Sequence, residues 1–312
     1  MTKTKLLAGI LFVALSLSYV HAQTPEVDSK KIIQKGVDFH DAEKYDEAIA
    51  EFKKVNKNDT NFVLASIELA NTYIANKQDS LAVIVIDQAS VLPSSYSPTL
   101  LLYKANALDN MKRSDEAIKL YQEGIKEYPL NNLFYYELGV LKFRQEKYVE
   151  AQDYFGQSIK VNPYHASSHH QMAMLALKQG KLIPAMLAWQ FYLLLDNSSD
   201  RAKAIVGELE KMAKNEYELT DVVKVDGLSE QDDFSELEAL VRSKVALSTK
   251  YKSKLSVDFN ITKQLQLICE KMTTVKSDKG FYMRFYAPIY EAIQKKDYFE
   301  PFAYNILAGF GN

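Results

Sequence analysis

The chain has 312 residues, 47% hydrophobic and 25% charged, with a formal net charge of −2. This is globular composition, neither disordered nor membrane-embedded, and the mild acidity argues against nucleic acid, which needs a concentrated basic face. Cys269 is the only cysteine, so no intrachain disulfide can form, and the 11 glycines and 8 prolines favour long helices over frequent turns.

Lys3 and Lys5 precede an apolar run from Leu6 to Val20, and Val20-His21-Ala22 offers small or short residues at the positions a signal peptidase reads. Residues 1–22 are therefore expected to be a signal peptide cleaved after Ala22. The run is short for a span, which needs ~20 residues. No cysteine lies near the cleavage site to carry a lipid anchor. Loss of Lys3 and Lys5 brings the net charge to −4, and no second apolar segment is long enough to leave a transmembrane span. The expected address is outside the cytoplasm: a bacterial periplasm first, with secretion or envelope association as the other outcomes.

After a polar lead the chain acquires a period. Ala48, Ala82, Ala117, Ala151 and Ala185 follow one another at spacings of 34, 35, 34 and 34 residues. Twelve residues before each stands a small residue, Gly36, Ala70, Ala105, Gly139 or Ala173, and four after each a large one, Phe52, Ile86, Tyr121, Phe155 or Trp189. Small residues let two helix axes approach closely, and the large residue one turn on fills the space above. Pro129 and Pro163 close their units, with Pro93 one step early. A fixed period of this size marks a repeat array whose units bury their faces by stacking.

The pattern resembles the tetratricopeptide repeat (TPR), a helix–turn–helix unit of 34 residues. The fourth copy carries it as Tyr135, Leu138, Gly139, Tyr148, Ala151, Phe155 and Pro163. The resemblance implies an all-α fold: a right-handed solenoid of five repeats, 29–62, 63–96, 98–131, 132–165 and 166–199. Lys142 in place of an aromatic, Ser158 in place of a small apolar residue, and the missing closing proline of the fifth copy depart from the pattern. Beyond Ser199 the period stops. Residues 200–233 read as a capping helix, with Asp200 as its cap, and an acidic linker. Residues 234–312 read as a helical, aromatic-rich region with helices from Phe234 to about Lys250 and from Asn260 to about Val275.

At 100° per residue, the positions three before, one after and four after each small residue share a side of the first helix and are expected to line a concave groove. They are Ile33, Val37 and His40; Ile67, Asn71 and Ile74; Leu102, Asn106 and Asp109; Tyr136, Val140 and Phe143; His170, Met174 and Leu177. Ten are apolar or aromatic and none is lysine or arginine, which excludes the basic clamp that some TPR proteins use for acidic peptide termini. Such a groove suits an amphipathic helix, supplied either by a partner protein or by the chain's own C-terminal helices.

No catalytic signature is present: no glycine-rich phosphate loop, no serine elbow, no His-Glu-x-x-His. The expectation is a non-enzymatic scaffold or adaptor without cofactor or metal. An enzyme within 234–312, or a chaperone-like holder of export clients, is the alternative. His165, His169 and His170 form the one histidine cluster, expected to be partly exposed residues at a helix start. Cys269 reads as a buried thiol, and the aromatic tail, Phe281 to Phe310, as core or interface.

Overall fold

The computed structural model describes residues 28–224, 232–257, 259–275 and 279–308. The expected signal peptide and residues 225–231 of the acidic linker lie outside them. Ten helices follow one another as hairpins: α1 (Ser29–Asp41) with α2 (Tyr45–Phe52), α3 (Phe62–Ala75) with α4 (Asp79–Ser90), α5 (Ser97–Asn110) with α6 (Ser114–Glu127), α7 (Asn132–Arg144) with α8 (Tyr148–Val161), and α9 (Ala166–Lys178) with α10 (Leu182–Leu195). Six more follow: α11 (Asp200–Lys214), α12 (Ser235–Arg242), α13 (Asn260–Met272), α14 (Phe281–Phe285), α15 (Ala287–Lys295) and α16 (Phe299–Leu307). Among the described residues every regular element is helical, and none is long and apolar enough to cross a membrane.

Each hairpin turns by the same device. The first helix ends in a left-handed residue: Glu43, Lys77, Lys112, Glu146 and Gly180, with φ of 58°, 57°, 64°, 59° and 73°. The next amide reaches back to a carbonyl of the last helical turn, as in Lys44 N to Phe39 O (2.8 Å), Gln78 N to Tyr73 O (2.7 Å) and Lys181 N to Ala176 O (2.9 Å). This backbone bond satisfies a carbonyl that the helix end would otherwise leave open.

Past the turn, the alanine ladder is fully inaccessible at all five steps, as are Ala70, Ala105 and Ala173 opposite it. Where the opposing residue is glycine, an aromatic ring takes the vacated volume. A Cβ on Gly139 would lie 2.7 Å from the Phe155 ring, and one on Gly36 would collide with Phe52. Lys142 is tolerated inside the fourth hairpin because its ammonium reaches Glu150 at 2.6 Å.

α11 is capped by the Ser199 hydroxyl, which accepts from Ala202 N at 3.1 Å. The cap is thus one residue earlier than expected, and Asp200 is the first helical residue. α12 also departs from expectation. It stops at Arg242, where the Ser243 hydroxyl donates to Leu240 O (2.7 Å) and Lys244 turns left-handed at φ 60°. A single 3-10 turn, Val245–Leu247, follows it.

α11 packs on α10, and α13 is tied to α11 at its start by Glu210, which accepts from Asn260 Nδ2 (2.9 Å) and Ile261 N (3.0 Å). One hydrophobic core joins α8 to α11 with α12 to α16 and contains Phe155, Trp189, Leu209, Cys269, Tyr282, Tyr286, Tyr290 and Phe302. The aromatic tail is therefore built into the end of the array, and Cys269 is a buried thiol pushed up to about 12 by that burial.

Candidate functional site: the inner face of the first helices

The first helices α1, α3, α5, α7 and α9 lie side by side, and the expected groove would run across them. The fifteen predicted groove residues divide sharply there. Ile33, Ile67, Leu102, Asp109 and Leu177 are buried, and the other ten are half-buried. The division follows helix geometry. At 100° per residue, the positions three before and four after the small residue lie about 60° and 40° from the packing direction, whereas the position one after lies about 100° away. Every buried member belongs to the first two positions. Ile33 and Ile67 belong to the core of the first hairpins and Leu102 to that of the third and fourth. All five residues of the third position, Val37, Asn71, Asn106, Val140 and Met174, keep solvent access.

The polar members are mostly engaged. The Thr72 hydroxyl donates to Glu68 O (2.7 Å) and accepts from His40 Nδ1 (2.9 Å). The Tyr121 hydroxyl donates to Asn106 Oδ1 (2.7 Å). Asp109 accepts from the Ser114 hydroxyl (3.0 Å) and pairs with Arg144. His170 Nδ1 accepts from Trp189 Nε1 (3.2 Å), and burial, with Arg201 close by, lowers its pKa to about 4. The aromatic members sit on other rings: Tyr136 edge-on to His165 at 4.8 Å, and Phe143 edge-on to Tyr148 at 5.4 Å.

Half-buried side chains extend further round each first helix than the fifteen positions. The position two before the small residue stands about 160° from the packing direction, and it carries Glu68, Tyr103 and Glu137. Desolvation raises the Glu68 carboxyl, against the pull of His40, and raises the Tyr103 phenol, with Glu68 adding to it. Desolvation lifts Glu137 to about 7, Arg144 opposing and Asp109 reinforcing. Among the described residues no hydrogen bond or ion pair reaches the carboxylate of Glu68 or Glu137. The helical period alone could have found both, had the arc been centred on the position after the small residue.

The histidine cluster is not as expected. His169 is completely inaccessible. Its Nε2–H donates to Pro163 O (2.9 Å), so Nδ1 accepts from the Tyr286 hydroxyl (2.8 Å), and burial lowers its pKa to about 4. Nδ1 thus ties the array to the tail, while Nε2 holds the ring to the array's own turn at Pro163. The tail's further bonds to the array run from the Tyr282 hydroxyl to Met172 O (2.7 Å) and from the Tyr290 hydroxyl to Gln190 Oε1 (2.5 Å), while Phe285 packs on Phe191. None of these array residues is among the fifteen.

Five hairpins with left-handed turns in step, a small-residue ladder and first helices on one face decide the architecture. It is an all-α solenoid of paired helices that resembles the tetratricopeptide repeat. No protein-family model matches the chain and no curated protein does. Solved structures similar to it include MamA, residues 41 to the end, from Desulfovibrio magneticus RS-1, at 15% identity over 55% of this chain and 97% of that one, TM-score 0.42. Another MamA structure is 21% identical over 62% and 97%, TM-score 0.40. PilF of Pseudomonas aeruginosa is 20% identical over 60% and 85%, TM-score 0.48.

Proposed function

We propose that the protein is a non-enzymatic scaffold of the bacterial envelope that holds an amphipathic helix of a partner protein along its TPR inner face. The observation that carries this reading is the run of accessible apolar side chains there: Val37, Ile74, Tyr136, Val140, Phe143 and Met174 are all half-buried, and together they form the kind of strip a helix covers in groove recognition. The tail is the rival occupant. Its bonds to Met172, Gln190 and His169 favour an external partner, because they use other sides of α9 and α10.

The signal-like start of the sequence supports the envelope address. The test is the double variant Tyr136→Lys with Phe143→Lys, expressed in the native envelope and assayed by crosslinking and mass spectrometry. The expected result is loss of the captured partner with helical circular dichroism unchanged. A double variant that unfolds, or that captures the same partner, contradicts the assignment.

A further inference from the structure

The inner face also has a charge pattern, and it constrains the occupant. Glu68 on α3 and Glu137 on α7 are half-buried, and the described residues supply neither carboxylate with a hydrogen bond or an ion pair. Such a group sits at a cost unless something neutralises it. The neighbouring charges do not. Arg144, whose charge acts on Glu137 from the end of the same helix, is bound to Asp109 of α5, whose charge adds to that of Glu137. From α9 the facing side chain near Tyr136 is the neutral Gln171, and Arg201 of α11 lies toward Tyr136 and His170. Glu68 faces His40 and Asp41 of α1, whose effects oppose each other, and the Tyr103 phenol of α5. The middle of the groove thus mixes the apolar Ile74, Tyr136 and Val140 with the polar Asn71 and Asn106, and its two acidic points lack a partner.

We propose that the occupant is a basic amphipathic helix, its apolar face on Ile74, Tyr136 and Val140, and two cationic side chains reaching Glu68 and Glu137. This rests on the groove reading above and adds the partner's chemistry to it. The spacing follows from the fold. Glu68 and Glu137 stand two repeats apart, and neighbouring helix axes lie about 8–10 Å apart, so a helix crossing them spans roughly 16–20 Å. At 1.5 Å per residue that is about 11–13 residues, and residues eleven apart return to the same face of the bound helix, within about 20°. The expected partner segment carries lysine or arginine about eleven residues apart, flanking an apolar stripe.

The test uses the full chain and two labelled eighteen-residue helices, identical except that two positions eleven apart are lysine in one and glutamate in the other. Fluorescence anisotropy at low salt gives their affinities. The lysine helix is expected to bind about tenfold more tightly. Glu68→Gln with Glu137→Gln should shrink that difference to about twofold while leaving apolar binding in place. Raising the pH from 6 to 8 should tighten only the lysine helix, as Glu137 ionises. If both helices bind equally and Tyr136→Lys abolishes both, the groove reading stands and the basic partner is wrong. If neither helix binds at millimolar concentration, both readings fall. A difference that survives the double glutamine variant also overturns the assignment, since the selectivity would lie elsewhere.

Discussion

Glu137 makes the inner face sensitive to pH. Its carboxyl holds a proton up to about 7, chiefly because it is desolvated, whereas an unfolded glutamate releases it near ~4.3. Between those values the folded chain binds more protons than the unfolded one. Stability therefore falls as pH rises through that window and levels off above it. Glu68, raised for the same reason, acts with the same sign. His169 and His170 act oppositely: their pKa values are lowered to about 4, so their contribution is complete above the unfolded value and is lost as pH falls. Comparing wild type with Glu137→Gln cancels the histidines. Thermal melts at pH 5 and pH 8 should show the variant gaining stability relative to wild type at the higher pH. An identical shift in both proteins would mean that Glu137 is not desolvated.

At the scale of the element, each hairpin sets a tight volume against a strained turn. Gly139 lies against Phe155, where a Cβ would sit 2.7 Å from the ring. Gly139→Ala should cost about 1–3 kcal/mol through overpacking. In the same hairpin Glu146 occupies φ 59°, a conformation that is costly for any side chain bearing a Cβ. Glu146→Gly should stabilise the fold by about 0.5–1 kcal/mol. Urea unfolding of both variants checks the pair, and a stabilising Gly139→Ala or a destabilising Glu146→Gly would refute this account of the hairpin. The array was legible in the sequence because the ladder is a volume constraint repeated in phase. The turns were not, since four of their five left-handed residues are lysine or glutamate, which carry no turn signal. Of the fifteen positions assigned to a groove, Ile33, Ile67, Leu102, Asp109 and Leu177 are buried because the chosen arc lay near the packing side, and the same arc passed over the half-buried Glu68 and Glu137. His169 was misread because its burial depends on Tyr286, 117 positions away.

Across the whole molecule, two kinds of face are put to different uses. The outer helices α8 and α10, with His169 and Met172 of α9, are committed to the C-terminal helices. Phe281 lies against Gly156, Tyr282 bonds Met172 O and Tyr290 bonds Gln190, all within one continuous core. An array whose last hairpin is sealed in this way no longer needs its inner face to hide the tail, and Val37, Asn71, Asn106, Val140 and Met174 stay accessible. The central claim is that this inner face holds a separate protein. Its most direct measurement places a photocrosslinking amino acid at Val140, and at the outward, half-exposed Ile84 as control, in the native envelope, followed by mass spectrometry of the adducts. The account predicts a discrete partner segment joined at position 140 and absent from position 84. Adducts joining position 140 to the protein's own C-terminal helices, or a partner captured only at position 84, would contradict it.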